Sequence, residues 1–371
     1  MHFNNITPKD EYQYFFGYYD VQPYDESMRY HLVHRVRFRD RHPSPNDIAE
    51  IGFINLADKT FHKISETNSW NFQQGAMLMW FESGKSVIFN DFDGQNNISR
   101  VVSLSGIELK RFSLPIAAVD KKREHALSIN FSRIHDFRKG YGYSNLRDKN
   151  FSVDAPDDDG VFLLNLKTGE SALISSYAKM KKEFNESPFT EQKLVVNHVT
   201  FSPSGKKYAM LLRNFPQSGS KWGTVLAIGD LKGNFKKLTG FRVNSHYSFN
   251  GDETLAIWSA LPEYGVYFFN IENGERIKLN NQIVDHGDIH VNFSPDGKFF
   301  IGDGYIENGK RYVYKYDLKT HCGEKLFGVY SEPVDDTDIR CDLHARFSPD
   351  GKRISYDSTE NFRREIIEYF F

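Results

Sequence analysis

The sequence predicts an all-β fold, a seven-bladed β-propeller of four-stranded antiparallel blades, on three observations. A phrase recurs four times: His198-Val199-Thr200-Phe201-Ser202-Pro203-Ser204-Gly205, His246-Tyr247-Ser248-Phe249 with the turn Asn250-Gly251-Asp252, His290-Val291-Asn292-Phe293-Ser294-Pro295-Asp296-Gly297, and His344-Ala345-Arg346-Phe347-Ser348-Pro349-Asp350-Gly351. Its histidines lie 48, 44 and 54 residues apart, and self-similarity at about 40–50 residues marks a propeller or solenoid array. β-rich runs such as Lys207–Leu212, Phe299–Ile301 and Ile354–Tyr356 follow the turns. Pro presets φ and Gly permits the turn, so each unit opens with a hairpin. Finally, 32 Phe and 20 Tyr in 371 residues suit packed blades.

The N-terminal half carries the phrase in worn form. Pro23–Ser27, Trp80–Gly84 and Val119–Arg123 each precede a β-rich run, and aligning the turns gives seven slots: Asp20, Met77, Ile116, His198, His246, His290 and His344. The step from 116 to 198 is 82 residues. Its excess, approximately 133–160, has turn residues and charge without strand alternation, and is placed as an insertion between blades three and four. Lysines at 179, 181 and 182 among apolar residues leave room for one helix within Ser171–Phe189. Arg363–Phe371 reads as a last strand, and closing the ring requires an N-terminal strand in the final blade, since only closure removes an open edge. The 371 residues then form one domain.

Hairpin counting gathers the chemistry at one mouth of the ring. With the turn near Gly297, residues 290 and 303 fall opposite each other, so His290 should neighbour Asp303. The opposite face collects turns and reads as scaffold. His290, Asp303, Cys341 and His344 are ligand types suited to a divalent transition ion, zinc or manganese; the competing reading is a buried cysteine beside a hydrogen-bonded histidine. His198, His246, Tyr247, Tyr143 and His135 can move protons, and Arg213 can grip a carboxylate in two places, unless it is an ordinary salt bridge between blades. Asn197 and Gln74 can assist with amide hydrogen bonds. That set suits abstraction of a proton α to a carboxylate and loss of the group at the β carbon.

Other features bound the function. The formal net charge is −2, which argues against a nucleic-acid or membrane partner. Two cysteines imply no disulfide framework. The polar start Met1-His2-Phe3-Asn4-Asn5 lacks a signal-peptide pattern, so a cytoplasmic location is expected.

The histidine-headed blades, Asn197-His198, His246-Tyr247, Arg340-Cys341-Asp342-Leu343-His344, Phe16-Gly17-Tyr18-Tyr19-Asp20 and Trp70-Asn71-Phe72-Gln73-Gln74-Gly75 together resemble the seven-bladed propeller polysaccharide lyases, the oligogalacturonate and ulvan lyases. The resemblance spans nearly the whole chain as architecture. It implies a lyase that cleaves a uronic-acid-containing glycan by β-elimination, with His or Tyr as base and acid and Arg or a metal at the carboxylate. The oligogalacturonate type implies three His and one Gln on the metal, whereas here Cys341 and Asp303 would complete the set. The alternatives are a propeller that binds or helps assemble glycan without turnover, and a hydrolase, for which no isolated carboxylate pair appears at the mouth.

Overall fold

The repeated turns form as their residue types dictate. Ser294 Oγ donates to Asp296 Oδ1 at 2.8 Å and accepts the Phe299 N–H at 3.0 Å; Ser348 makes the same pair of contacts with Asp350 and Arg353. Gly297 and Gly351 close these turns at φ of +68° and +69°, which a Cβ would strain. In the computed structural model, which describes residues 2–216, 221–279 and 287–371, the resulting hairpins extend into seven four-stranded antiparallel sheets in a ring. Blades one to six run in chain order from Gln13–Phe15 to Cys322–Tyr330. The seventh joins Arg346–Phe347, Arg353–Ser358 and Glu365–Phe370 to the N-terminal strand His2–Asn5, with His2 opposite Phe370. Closure by the N-terminus is therefore as the edge argument requires.

The insertion is placed differently from the sequence expectation. It lies inside blade three, between the second strand (His125–Ser128) and the third (Gly160–Asn165), and not between blades three and four. The strand after it pairs straight back, Ser128 opposite Phe162, so both flanks belong to one sheet. A helix α1 (Phe131–Phe137) opens the insertion, its N-terminus capped by Asn130, whose side chain accepts the Arg133 N–H at 3.0 Å. Arg133 is fully buried, pairs with Asp148 at 2.9 Å and donates to the Leu194 and Asp154 carbonyls, which ties the insertion to blade four. Blades three and four are separated by the expected helix, α2 (Tyr177–Phe184).

Neighbouring blades are clasped at the inner end of the second strand. His34 Nε2 accepts the Ala76 N–H at 2.9 Å. Asn90 accepts the Ile116 N–H at 2.7 Å and donates to its carbonyl. Asp303 accepts the His344 and Ala345 N–H groups, and Asp357 that of Phe16. Each clasp satisfies a backbone group that the ladder leaves unpaired. Among the described residues, no helix is long and apolar enough to cross a membrane.

Candidate active site

The histidine slots share a sequence register, but their backbones differ. In blade four the bulge falls on Asn197, so His198 stays in the ladder opposite Leu211. In blade five the bulge falls on His246 itself, at φ +31°. A bulge re-aims a side chain. His290 pairs opposite Asp303, as counting predicts, and His344 precedes its strand at φ +44°. All four rings are at least nine-tenths buried on the axis. The His246 and His290 centroids are 4.0 Å apart, those of His290 and His344 4.5 Å.

Gly17–Asp20 enters this ring from blade one. Arg346 holds the Gly17 and Tyr18 carbonyls, Asn292 donates to the Tyr19 carbonyl, and Tyr19 Oη donates to the Tyr247 carbonyl at 2.7 Å. The Tyr18 and Tyr19 rings lie against the histidines, and two recesses open in the ring. The larger recess, about 760 Å³, opens among the turn prolines Pro203, Pro295 and Pro349, away from the histidine chemistry.

A potential metal group lies on one side of the axis. Ligand atoms of His290, Asp342 and His344 lie within 4.8 Å of one another. His290 Nδ1 is committed to Asp303 at 3.2 Å and His344 Nδ1 to the Gly17 carbonyl at 2.8 Å, which leaves both Nε2 atoms without a partner. Asp342 Oδ1 receives Arg340 and Arg311, both at 2.9 Å. Arg340 Nη2 also lies 2.7 Å from Oδ2, yet at an angle that makes no directed hydrogen bond. Two unpartnered imidazole nitrogens and a carboxylate oxygen that makes no directed hydrogen bond are ligand types for a divalent ion, with Asp303 orienting one ligand from behind. Burial would lower the His290 pKa, but Asp303 outweighs it and raises it; burial and the neighbouring His290 push His344 well down. Burial alone would raise Asp342, but the two arginines hold it far below the usual carboxylate range.

Next to this group, on the His246 side of His290, lies a cavity of about 190 Å³, lined among others by Tyr18, Tyr141, Asn197, Arg213, His246 and Asp288. His246 Nδ1 is bonded to Asp288 Oδ1 at 2.7 Å, which leaves Nε2 for a ligand. Burial lowers its pKa to about 4 despite Asp288, so the ring is neutral near neutral pH. Arg213 is 6% exposed and has no carboxylate partner among the described residues; its Nε has no hydrogen-bond partner, and its guanidinium sits 5.2 Å from the Trp222 ring centroid. Burial, then Arg138, lowers its pKa. The blade-three insertion reaches across the mouth: Arg138 pairs with Asp338, and Arg340 donates to Tyr141 Oη at 3.2 Å.

The solved structures add the remaining observation. An oligogalacturonate lyase in complex with manganese superposes with a TM-score of 0.70 at 14% identity, covering 100% of this chain and 93% of that one. In fold, the chain is like the oligogalacturonate lyases. The enzyme from Vibrio parahaemolyticus gives 0.66 at 12% identity, with 99% and 92% covered. Prolyl oligopeptidase B from Galerina marginata gives 0.58 at 12% identity, covering 99% of this chain but 50% of that one. No family model and no curated sequence matches.

Within this oligogalacturonate-lyase-like ring, the structure brings together Arg213, His246 and Asn197 at the cavity, and His290 and His344 at the metal group. Other expected residues lie elsewhere. His198 is beneath Tyr18, with Nε2 3.0 Å from Asp20 Oδ2, because its strand keeps it in the ladder. Tyr247 Oη donates to the Ala209 carbonyl at 2.8 Å, and Tyr143 Oη receives Asn90 at 2.9 Å while its ring stacks on Phe131; neither lines the cavity. His135 lies on α1, outside the cavity lining. Gln74 is buried and does not line the cavity either. Cys341 is outside the metal group, its thiol against the Asp342 carbonyl oxygen, and burial pushes its pKa up to about 12. Asp303 stands behind His290. Sequence reasoning missed Asp342, Asp288, Tyr18 and Tyr141. The Asp342–His344 spacing of two was a usable signal for one of them, because alternate residues of an extended segment share a side.

Proposed function

We propose that this chain is a lyase acting by β-elimination on a uronic-acid-containing oligosaccharide. The observation that carries the reading is Arg213, a buried guanidinium without a carboxylate partner among the described residues, lining the same small cavity as His246, whose Nδ1 is held by Asp288. A buried unpaired charge is costly, so a site that keeps one is built for an anion of opposite charge. The planar guanidinium fits a uronate carboxylate through two parallel hydrogen bonds.

In this reading Arg213 holds the carboxylate and makes the C5 proton more acidic. His246 Nε2 takes that proton, and Asp288 stabilises the resulting imidazolium. The C4–O bond breaks as the C4–C5 double bond forms, and Tyr18 or Tyr141, two of the three phenols lining the cavity, protonates the leaving oxygen. Burial holds the Tyr18 pKa well above its ordinary value, so it remains a proton donor. A divalent ion at His290, Asp342 and His344, manganese or zinc, would supply positive charge beside the carboxylate when bound. The expected Cys341 and Asp303 ligands are replaced in this proposal by Asp342, because its carboxylate belongs to the gathered group.

The test is a screen of uronate oligosaccharides for the ultraviolet absorbance of the new double bond, with calorimetric binding run in parallel. A lyase gives rising absorbance with metal-loaded protein. Binding without any rise supports the glycan-binding alternative instead, and cleavage into saturated products means a hydrolase.

A further inference from the structure

Trp222 and Tyr305 lie between the second and third strands of blades four and six, Tyr264 begins the third strand of blade five, and all three rings are exposed. Trp222 is 39% exposed, Tyr264 57% and Tyr305 44%. Trp222 and Tyr305 also line the cavity, and they stand on blades four and six, on either side of the His246 blade. Their rings are braced. Trp222 stacks on Phe137 of the insertion at 5.0 Å between centroids, with Arg213 at 5.2 Å. Tyr305 has the guanidinium carbons of Arg340 and Arg311 at 5.5 and 5.6 Å. The protein has four tryptophans, and Trp70, Trp80 and Trp258 are 1%, 5% and 8% exposed, so Trp222 alone is left in solvent. Large aromatic surface kept in water and supported from behind marks a binding surface.

The cavity sets the scale. At about 190 Å³ it is smaller than the roughly 300–1,000 Å³ of sites for drug-sized ligands, which suits one pyranose ring. A pyranose presents an apolar face of C–H groups, and the negative π face of an aromatic ring attracts those polarised hydrogens. We infer that Trp222 and Tyr305 are flanking sugar platforms, so that the ligand is an oligosaccharide of at least three residues, with its central uronate at Arg213 and a neighbouring sugar stacked on each ring. This rests on the proposed uronate specificity and adds a length requirement to it.

The experiment measures binding in the His246→Ala protein, where turnover is blocked, by calorimetry with saturated uronate di-, tri- and tetrasaccharides. The trisaccharide should bind about tenfold or more tightly than the disaccharide, and should quench the exposed tryptophan fluorescence. Trp222→Ala and Tyr305→Ala should each cost the trisaccharide about threefold to tenfold, from stacking of the usual strength. The double variant should bring the two ligands to within about twofold. Trp222→Phe should retain most of the affinity, which a steric or folding effect would not predict. Uronides that bind with no length dependence, or a length dependence that survives both substitutions, would overturn the platforms while leaving the uronate reading intact. If no uronide of any length binds, the uronate reading itself falls, and the platforms fall with it.

Discussion

Arg213 makes the most direct claim at the scale of single residues. Its charge is buried beside a cavity, so Arg213→Ala should lower kcat/KM by about 100- to 1,000-fold with an unchanged thermal melt, the loss expected for one group that stabilises developing charge. Arg213→Lys should restore little, because an ammonium cannot reproduce the two-pronged contact. His246→Ala should reduce kcat by about 100-fold or more, in the range of a lost general base. His198→Asn should cost less, since His198 faces Asp20 beneath the tyrosines. The metal group separates two ligand sets by elemental analysis after dialysis. Asp342→Ala and His344→Ala should lose the ion, whereas Cys341→Ser should retain it.

At the scale of elements, the clasps at the inner strand ends hold the blades in register. Asn90 bridges blades two and three through both amide atoms and also bonds Tyr143. Asn90→Ala leaves buried backbone groups unsatisfied and should cost about 1–3 kcal/mol, read from urea unfolding. The pairing of His290 with Asp303 was legible in the sequence because hairpin register is arithmetic, and residue 303 follows from 290 once the turn is known; the Asp303 clasp on the next blade was not. The bulges were not legible. Nothing in the phrase tells that Asn197 is the extra residue in one blade and His246 in the next, and that difference decides which imidazole reaches the cavity. The insertion was visible as surplus length between slots, yet its place within blade three depended on the strand that follows pairing backwards. Asp288 was hidden for another reason: it lies outside any strand, and its role depends on approaching His246 from 42 residues away.

The whole molecule carries buried neutral histidines, and these set a pH response. His34 is fully buried, accepts the Ala76 N–H as one of the clasps, and has its pKa lowered by burial to about 4; burial takes His31 to about 3. Unfolded, each returns to about 6.5. Below that value the unfolded chain binds protons that the folded one does not, so stability is complete above about pH 6.5 and falls as pH drops towards 4, by up to about 3 kcal/mol for His34 alone. Thermal melts across that window should show the slope, and His34→Gln, whose amide oxygen can still accept the Ala76 N–H, should flatten it. The seventh blade also imposes an order of events in time. Its fourth strand, His2–Asn5, is translated long before its partner Glu365–Phe370. Contacts between such distant parts of a chain form slowly. Until that partner is made, His2–Asn5 stays an unpaired edge of the kind that recruits other chains. The ring closes only once Glu365–Phe370 has been made, so a strand translated early waits for one translated late.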